Sequence, residues 1–492
     1  MQVRGKMCAA TVAAVFAVGA FTGHAAAQAP VGTSGPDGEV VELLQELIRI
    51  NTSNPPGNEA LVAELLRARL APLGFEVEVL PTPTPGKAHL IARLRAQNPT
   101  EKPLLMAGHA DVVGVERELW KVDPFGGLVR GDDIIGRGAM DFKGGLAAFT
   151  VAAMRLARSK AALSRDVILL AEADEEGGEY GTSWLAKNHW PKIEAGISLN
   201  EGGWVLEDRA GTPRLMGITT VDKNSLSVTL RTRGTSTHSS RPLPDSAIDR
   251  LTRALNRIGR YETTPPELDP TARRYLRTWT SAFRGGSANY VRAYLRAEGP
   301  AARRRAARPL VRSEYGELFN GLIRTIFVPT IIEGGFRSNV LPGTAEATVN
   351  IRLLPGDGPR PAIAELRRVI GDAQVRVTPI ARKGESVEEV LERFEERARL
   401  RPSRTGTDLY RSLVTQGGAQ WPTAKPTPAL FEAGTDAFPW RERGIPVYGV
   451  YPYPVSRSEL TAMHGNGERI SVKRLEEGTD MLSRVLREVA AR

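Results

Sequence analysis

Two short apolar runs constrain the fold of this chain more than any other feature. Pro103-Leu-Leu-Met-Ala107 and Val167-Ile-Leu-Leu-Ala171 have no polar face, the mark of strands buried on both sides of a sheet. A third strand is expected over Ala195 to Leu199. Each of the three runs into chemistry: Gly108-His109-Ala110-Asp111, then Asp174-Glu175-Glu176-Gly177-Gly178, then Asn200-Glu201-Gly202-Gly203. In open α/β sheets, ligands collect beyond the carboxyl ends of strands, so three such ends in succession point to one site.

The stretch Gly136-Arg-Gly-Ala-Met-Asp141-Phe-Lys-Gly-Gly145 adds a lone carboxylate ahead of an apolar run, Leu146 to Leu156, that reads as a buried helix. Alone, Asp141 is best read as a capping residue in a glycine-rich turn. The three strand ends and Met463-His464-Gly465 change that reading, because glycines also let a backbone present a carboxylate closely to a ligand.

The rest of the chain falls into order around these clusters. Helix-period segments, Val40 to Ile50 and Glu59 to Leu70, are separated by the breaker Asn54-Pro-Pro-Gly57. Strands are expected at Phe75 to Leu80 and Leu90 to Leu94, and a helix near Ser183 to Lys187. From Asn224 the order becomes strand-helix-strand-strand-helix-strand, which describes a small α/β sandwich. An Arg/Ala-rich, helical insertion (261–324) interrupts it, and the first domain resumes near Pro402 and ends in a helix from Val472 to Val489. The expected division is a signal peptide (1–27), a first part of the main domain (38–222), an inserted unit (223–401) and a second part (402–492).

Arg4 and Lys6 precede the apolar run Ala9 to Phe21, and small residues follow at cleavage spacing between His24 and Ala29, so export to a periplasm or medium is expected. That run is too short for a comfortable membrane span, and no later stretch qualifies. The single cysteine, Cys8, lies in this leader, so any metal must be held by nitrogen and oxygen. The net charge of +10 is partly concentrated in Arg303-Arg304-Arg305, Arg308 and Arg312. Without interleaved aromatics or a nucleic-acid module, these arginines read as a solvated helix face, and no nucleic-acid partner is expected.

Histidine is scarce, six in all, and His109 and His464 are the two set in acidic or glycine-rich loops at strand ends; His89 and His189 read as structural. A carboxylate-rich set with two histidines suits zinc or another borderline divalent cation. His109 and Asp111 lie two apart on an extended chain and point the same way, so the Asp111 carboxylate is expected to accept the second ring N–H. Glu175 and Glu176 diverge, so one can ligate while the other acts as general base toward a metal-activated water.

These motifs, in this order, resemble the co-catalytic zinc metallopeptidases and amidohydrolases that include aminoacylase, carboxypeptidase G, succinyl-diaminopimelate desuccinylase and carboxypeptidase S. The resemblance runs from about Val40 to the last helix; the long insertion and the Asn200-Glu201-Gly-Gly segment look most like the carboxypeptidase S and N-acyl-amino-acid hydrolase branch. It implies an α/β fold: a zinc-peptidase catalytic domain, a mixed sheet between helices, with an inserted α/β sandwich serving as lid and dimerisation domain. It implies two Zn2+ per chain, with Co2+ or Mn2+ as alternatives, bridged by Asp141. One ion would add His109 and Glu201, the other Glu176 and His464. Glu175 would be the general base and Asp111 the orienting carboxylate. His238 would be the lid histidine that polarises the scissile carbonyl, often from the partner subunit of a homodimer. Asn339 and Arg352 would hold a substrate's free carboxylate, and Gly434 and Thr435 would line the same pocket.

The resemblance also implies a cis Asp141–Phe142 peptide. The branch usually has Asp where Asn200 stands, which leaves Glu201 and Asn200 as rival occupants of one ligand position. The expected activity is hydrolysis of the amide next to a free carboxylate in N-acyl amino acids or short peptides. A dipeptidase or deacylase of another branch, and a non-catalytic peptide- or metal-binding relative, are the alternatives.

Overall fold

The computed structural model describes residues 38–491; the proposed signal peptide and Cys8 lie outside the described residues. Ten strands form the main sheet, and its middle is parallel. Strand Leu104–His109 pairs in parallel with Val167–Glu172 on one side and Ile197–Asn200 on the other, and Ile197–Asn200 pairs in parallel with Val447–Gly449. Four carboxyl ends therefore open at one edge, carrying His109, the Glu172–Glu176 segment, Glu201 and Tyr451.

The apolar runs are buried on both faces because their neighbours alternate. Leu104, Met106 and Leu169 face the large core, whereas Leu105, Ala107, Ile168 and Leu170 face a smaller one closed by helices Thr182–Asn188 and Phe438–Glu442. Helix Lys143–Arg158 lies in the large core and packs against the last helix, Val472–Ala490. It is apolar almost all round, as a core helix must be. Its glycines serve close approach: a Cβ on Gly145 would stand 2.1 Å from the Phe142 ring, and one on Gly108 2.8 Å from the same ring.

The inserted unit is a four-stranded antiparallel sheet in the order Ile326–Gly334, Thr344–Leu353, Asn224–Arg233, Arg376–Pro379. Helices Ala247–Arg260, Pro359–Ile370 and Val387–Ala398 bury Leu251, Ile258, Ile363, Leu366 and Phe394 against it, in a core of its own. Ser246 caps the first of these helices by accepting from the Asp249 N–H (3.2 Å), and a Ser386/Glu389 capping box starts the third.

The segment 261–324 departs from its place in the chain. It folds as four helices, and Tyr275, Trp279, Phe283, Leu310, Tyr315 and Phe319 join the large core instead of the inserted unit's. Its first helix, Pro270–Ala282, lies on strand Lys425–Phe431 of the main sheet. Flanking strands locate an amphipathic segment along the chain but not the surface that its apolar face covers. The arginines of this segment turn back on it: Arg303 donates to the Pro265 carbonyl (3.1 Å) and Arg308 lies 3.6 Å from Glu262. Among the described residues, no helix is long and apolar enough to cross a membrane.

Candidate metal centre

Asp141 is the hub of the site. Its Oδ1 lies 3.3 Å from His109 Nε2, and its Oδ2 lies 2.9 Å from His464 Nε2. Glu201 Oε2 stands 3.6 Å from the same His109 nitrogen, and Glu176 Oε1 stands 3.0 Å from the same His464 nitrogen. The two oxygens of one carboxylate thus face two separate histidine–carboxylate pairs. In a tetrahedral zinc shell with bonds of about 2.0–2.1 Å, ligand atoms are about 3.3 Å apart, so these spacings fit a cation in each half. His109, Asp141 and Glu176 also converge closely enough to serve a single ion.

The electrostatics agree. Burial would push the His109 ring down, yet the carboxylates of Asp111, Asp141 and Glu201 hold it well above its usual range. Burial and then the neighbouring Glu201 and Glu176 push the Glu175 carboxyl well up; burial, only partly offset by His109, takes Glu201 to about 7. The site carries more carboxylates than its histidines can balance, and a cation would satisfy it.

The loop that bears Asp141 is pinned from behind. The N–H groups of Met140 and Asp141 donate to Glu468 Oε1 (2.9 and 3.0 Å), and Arg137 donates to Glu468 Oε2 (2.7 Å), with both charged partners buried. Asp141–Phe142 is cis, as the resemblance implies. Asp174 (φ 68°) and His464 (φ 60°) have left-handed backbones, uncommon for residues other than glycine and concentrated at functional sites.

Asp111 works differently from the sequence-based expectation. The His109 Nδ1 meets the Asp111 backbone carbonyl at 2.9 Å, and the carboxylate stands off at 3.7 Å. That carboxylate is engaged elsewhere: it accepts from the N–H groups of Glu175 (3.2 Å) and Glu176 (2.9 Å) and from Asn54 Nδ2 (2.8 Å). One residue thereby orients the histidine through its backbone and the Glu175–Glu176 turn through its side chain. Glu59, Asp111 and Asp174 form a second buried acidic group, already occupied by Lys87, which ion-pairs with Asp174 and donates to Asn54 Oδ1 (2.7 Å).

The rivalry between Asn200 and Glu201 has a geometric answer. Asn200 Oδ1 accepts from the Glu201 N–H (2.6 Å), so the amide caps the backbone while the Glu201 carboxylate faces His109. Burial in the inserted sheet pushes the Arg352 guanidinium below its usual range, and the charges of Glu175, Glu176 and Glu432 only partly oppose this. Thr435 donates its hydroxyl to Asp222 Oδ2 (2.8 Å), which ties the Gly434–Thr435 turn to the end of strand Pro213–Asp222; its side chain thus fastens the loop.

His238 and Asn339 share an exposed two-stranded ribbon, where His238 pairs with Val340 and the Ser239 N–H donates to the Asn339 carbonyl (2.9 Å). The His238 ring bonds Ser240 Oγ (2.8 Å), and among the described residues no hydrogen bond or ion pair joins the ribbon to the metal centre. His89 and His189 are structural: the His89 ring bonds the Tyr180 carbonyl (2.8 Å), and His189 packs on Trp184.

Sequence reasoning missed Asn54, Lys87, Arg137, Glu468 and Tyr451, which support the centre without a ligand motif. Asn54 read as part of a chain break, and Arg137 had a signal only as a charge inside the glycine-rich loop.

Comparison with known proteins agrees with this geometry. The profile of "Peptidase family M20/M25/M40" matches residues 105–488. The chain is 26% identical over 401 residues to the human N-fatty-acyl-amino acid synthase/hydrolase PM20D1, covering 79% of this chain and 74% of that protein. It is also 26% identical to a probable carboxypeptidase S-like 2 of Dictyostelium discoideum, over 77% of this chain and 70% of the other. Among solved structures, the M20 family metallo-carboxypeptidase Sso-CP2 from Sulfolobus solfataricus superposes with a TM-score of 0.66 at 18% identity, covering 92% of this chain and 99% of that one. Human carnosine dipeptidase 1 follows at 0.65 and 15%, covering 92% and 95%. These chains share the fold, and the profile spans most of the sequence. The protein therefore belongs to peptidase family M20/M25/M40, hydrolases of amide and peptide bonds.

Proposed function

We propose that this protein is an exported two-zinc amidohydrolase that cleaves the amide next to a free carboxylate in N-acyl amino acids or short peptides. The observation that carries this reading is the Asp141 carboxylate, which offers one oxygen to the His109/Glu201 pair and the other to the His464/Glu176 pair. Co2+ or Mn2+ would suit the same donors. Ions bound there would supply Lewis acidity, polarising a carbonyl and making water more acidic.

Glu175 would take the proton of the attacking water and deliver it to the leaving nitrogen as the C–N bond breaks. Its backbone is held by Asp111, so its carboxylate has a fixed origin beside the metal ligands. Arg352, which feels the charges of Glu175 and Glu176, would supply the positive charge that a substrate carboxylate needs. The fatty-acyl-amino acid and carboxypeptidase S-like names of the relatives support a substrate of this class.

His238 and Asn339 stand apart from the centre, so they would act on lid closure or from a partner subunit. A homodimer is supported by the edge strand Ile326–Gly334 and the turn after it, which expose Ile331, Ile332 and Phe336 (54%, 66% and 75%). Mixing His238→Ala with Glu175→Ala tests this: recovered activity requires a histidine that crosses subunits, and none is recovered if each chain works alone. Export rests on the leader pattern at 1–27 and is checked by the mature N-terminus of the periplasmic protein.

Glu175→Ala is the central experiment. It should keep two metal ions per chain and lose nearly all hydrolysis of acylated amino acids, and unchanged turnover would sink the mechanism. Substrates with the carboxylate replaced by a neutral amide should lose most of their kcat/KM; indifference to that change would remove Asn339 and Arg352 from their roles.

A further inference from the structure

Tyr451 is a fully buried side chain that touches two of the candidate ligands and that no motif assigns. It lies two residues beyond strand Val447–Gly449, at the same sheet edge as His109 and Glu201. Its hydroxyl stands 2.8 Å from Asp141 Oδ1 and 3.2 Å from Glu201 Oε2. A phenol has one proton, so this is a three-centre contact shared between two carboxylates. Both oxygens belong to the His109 half of the centre, and neither the His464 nor the Glu176 side chain has a hydrogen bond from this hydroxyl.

The ring is held where a small displacement would matter. It stacks on Trp204 at 4.1 Å and 13° and meets Phe142 edge-on at 5.4 Å and 81°. Phe142 follows Asp141 directly, and Trp204 follows Glu201 by three residues, so the aromatic contacts clamp together the loops that present the two carboxylates. The Tyr451 N–H adds a bond to the Gly203 carbonyl (2.8 Å), and Trp204 is itself anchored by donating Nε1 to Glu432 Oε1 (2.8 Å). A tyrosine kept only for packing would need any one acceptor for its hydroxyl. Tyr453 is that case: it is equally buried in the same cluster, and its hydroxyl goes to the Met140 carbonyl (2.6 Å).

We propose that Tyr451 is a positioning residue for one half of the metal centre: its hydroxyl sets the spacing of Asp141 Oδ1 and Glu201 Oε2 and so strengthens the ion held with His109. This rests on the two-ion reading above. Outer partners of metal ligands orient them and tune their basicity, and removing one weakens binding without removing a ligand.

The test is Tyr451→Phe, which keeps the ring and its stack, with Tyr453→Phe as the matched control. Zinc per chain and the affinity of each ion are read by competition with a chromophoric chelator, and Co2+ absorption reports the geometry of the altered half. In Tyr451→Phe one ion should weaken by about 10–100-fold and the other stay within about twofold. At limiting zinc kcat should fall with KM little changed, and excess zinc should restore it, which a merely structural defect would not allow. Tyr453→Phe should leave both affinities in place.

Unchanged affinities in Tyr451→Phe, or equal weakening of both ions, would overturn the proposal while leaving the hydrolase reading intact. A wild-type protein holding fewer than two ions would overturn both. If Tyr451→Phe does not fold, Trp204→Phe is read in its place: it loosens the clamp while keeping the hydroxyl, and a selective loss of the same ion supports the proposal, whereas no change rejects it.

Discussion

The two halves of the centre are built differently. His109 and Glu201 sit at the ends of parallel strands and are almost closed to solvent, with side chains 2% and 6% exposed. His464 and Glu176 sit on loops, and the His464 side chain is 46% exposed. One half is held by the sheet and backed by Asp111, Tyr451 and the Phe142–Trp204 clamp. The other depends on a left-handed turn at His464 and on two backbone N–H bonds to Asp111. The sheet-held half thus fixes one oxygen of the Asp141 carboxylate, while the loop-borne half stays open to solvent.

Asp141→Asn removes the oxygen charge common to both halves and should leave less than one ion per chain by elemental analysis, with hydrolysis at background; a variant that kept one full ion would show that the halves are independent. Next, His464→Ala and His109→Ala should each weaken one ion by more than about 100-fold, beyond the cost of losing an outer partner. In the wild type, a mild chelator should strip the open half first, as a fast phase of metal release followed by a slow one. A single phase would abolish the distinction.

Glu468→Gln keeps an acceptor for the Met140 and Asp141 N–H groups but removes the charge facing buried Arg137. It should cost about 1–3 kcal/mol in urea unfolding and weaken both ions in parallel, since it loosens the shared loop. Weakening confined to one ion would place Glu468 in a single half.

The smallest effect lies behind the closed half, at Glu59. Burial, with Asp111 and Asp174 adding repulsion, raises its carboxyl to about 7, although its own backbone and Lys87 oppose the shift. A carboxyl raised on folding binds more protons in the folded state, so its contribution is full below the unfolded value near 4.5 and is lost as pH rises through about 7. Glu59→Gln should therefore flatten the fall in stability between pH 5 and 8, as read by thermal melts. An unchanged slope would mean that Glu59 is already ionised in the folded protein.

Legibility followed the range of the interactions. The apolar runs at 103–107 and 167–171 and the helix after Asp141 were readable because burial on both faces leaves a local signature. The candidate ligands were readable because metal chemistry demands particular residue types, and strand ends bring those residues to one edge. Asp111 shows the limit: spacing predicted a carboxylate–imidazole bond, but the carboxylate had stronger claims from Asn54 and two backbone N–H groups, 57 to 65 residues away in the chain. Likewise, nothing local assigned Trp279 and Phe319 to the large core.

The residue types and their order along the chain determined the α/β class, the candidate ligand set and the candidate base, because each is a local demand of burial or of metal coordination. Tertiary structure decided which oxygen of Asp141 faces which histidine, that Glu201 and not Asn200 turns toward His109, and that Tyr451 reaches both carboxylates. Those outcomes depend on contacts between segments up to 323 residues apart (Asp141 to His464), for which the chain carries no periodicity to read.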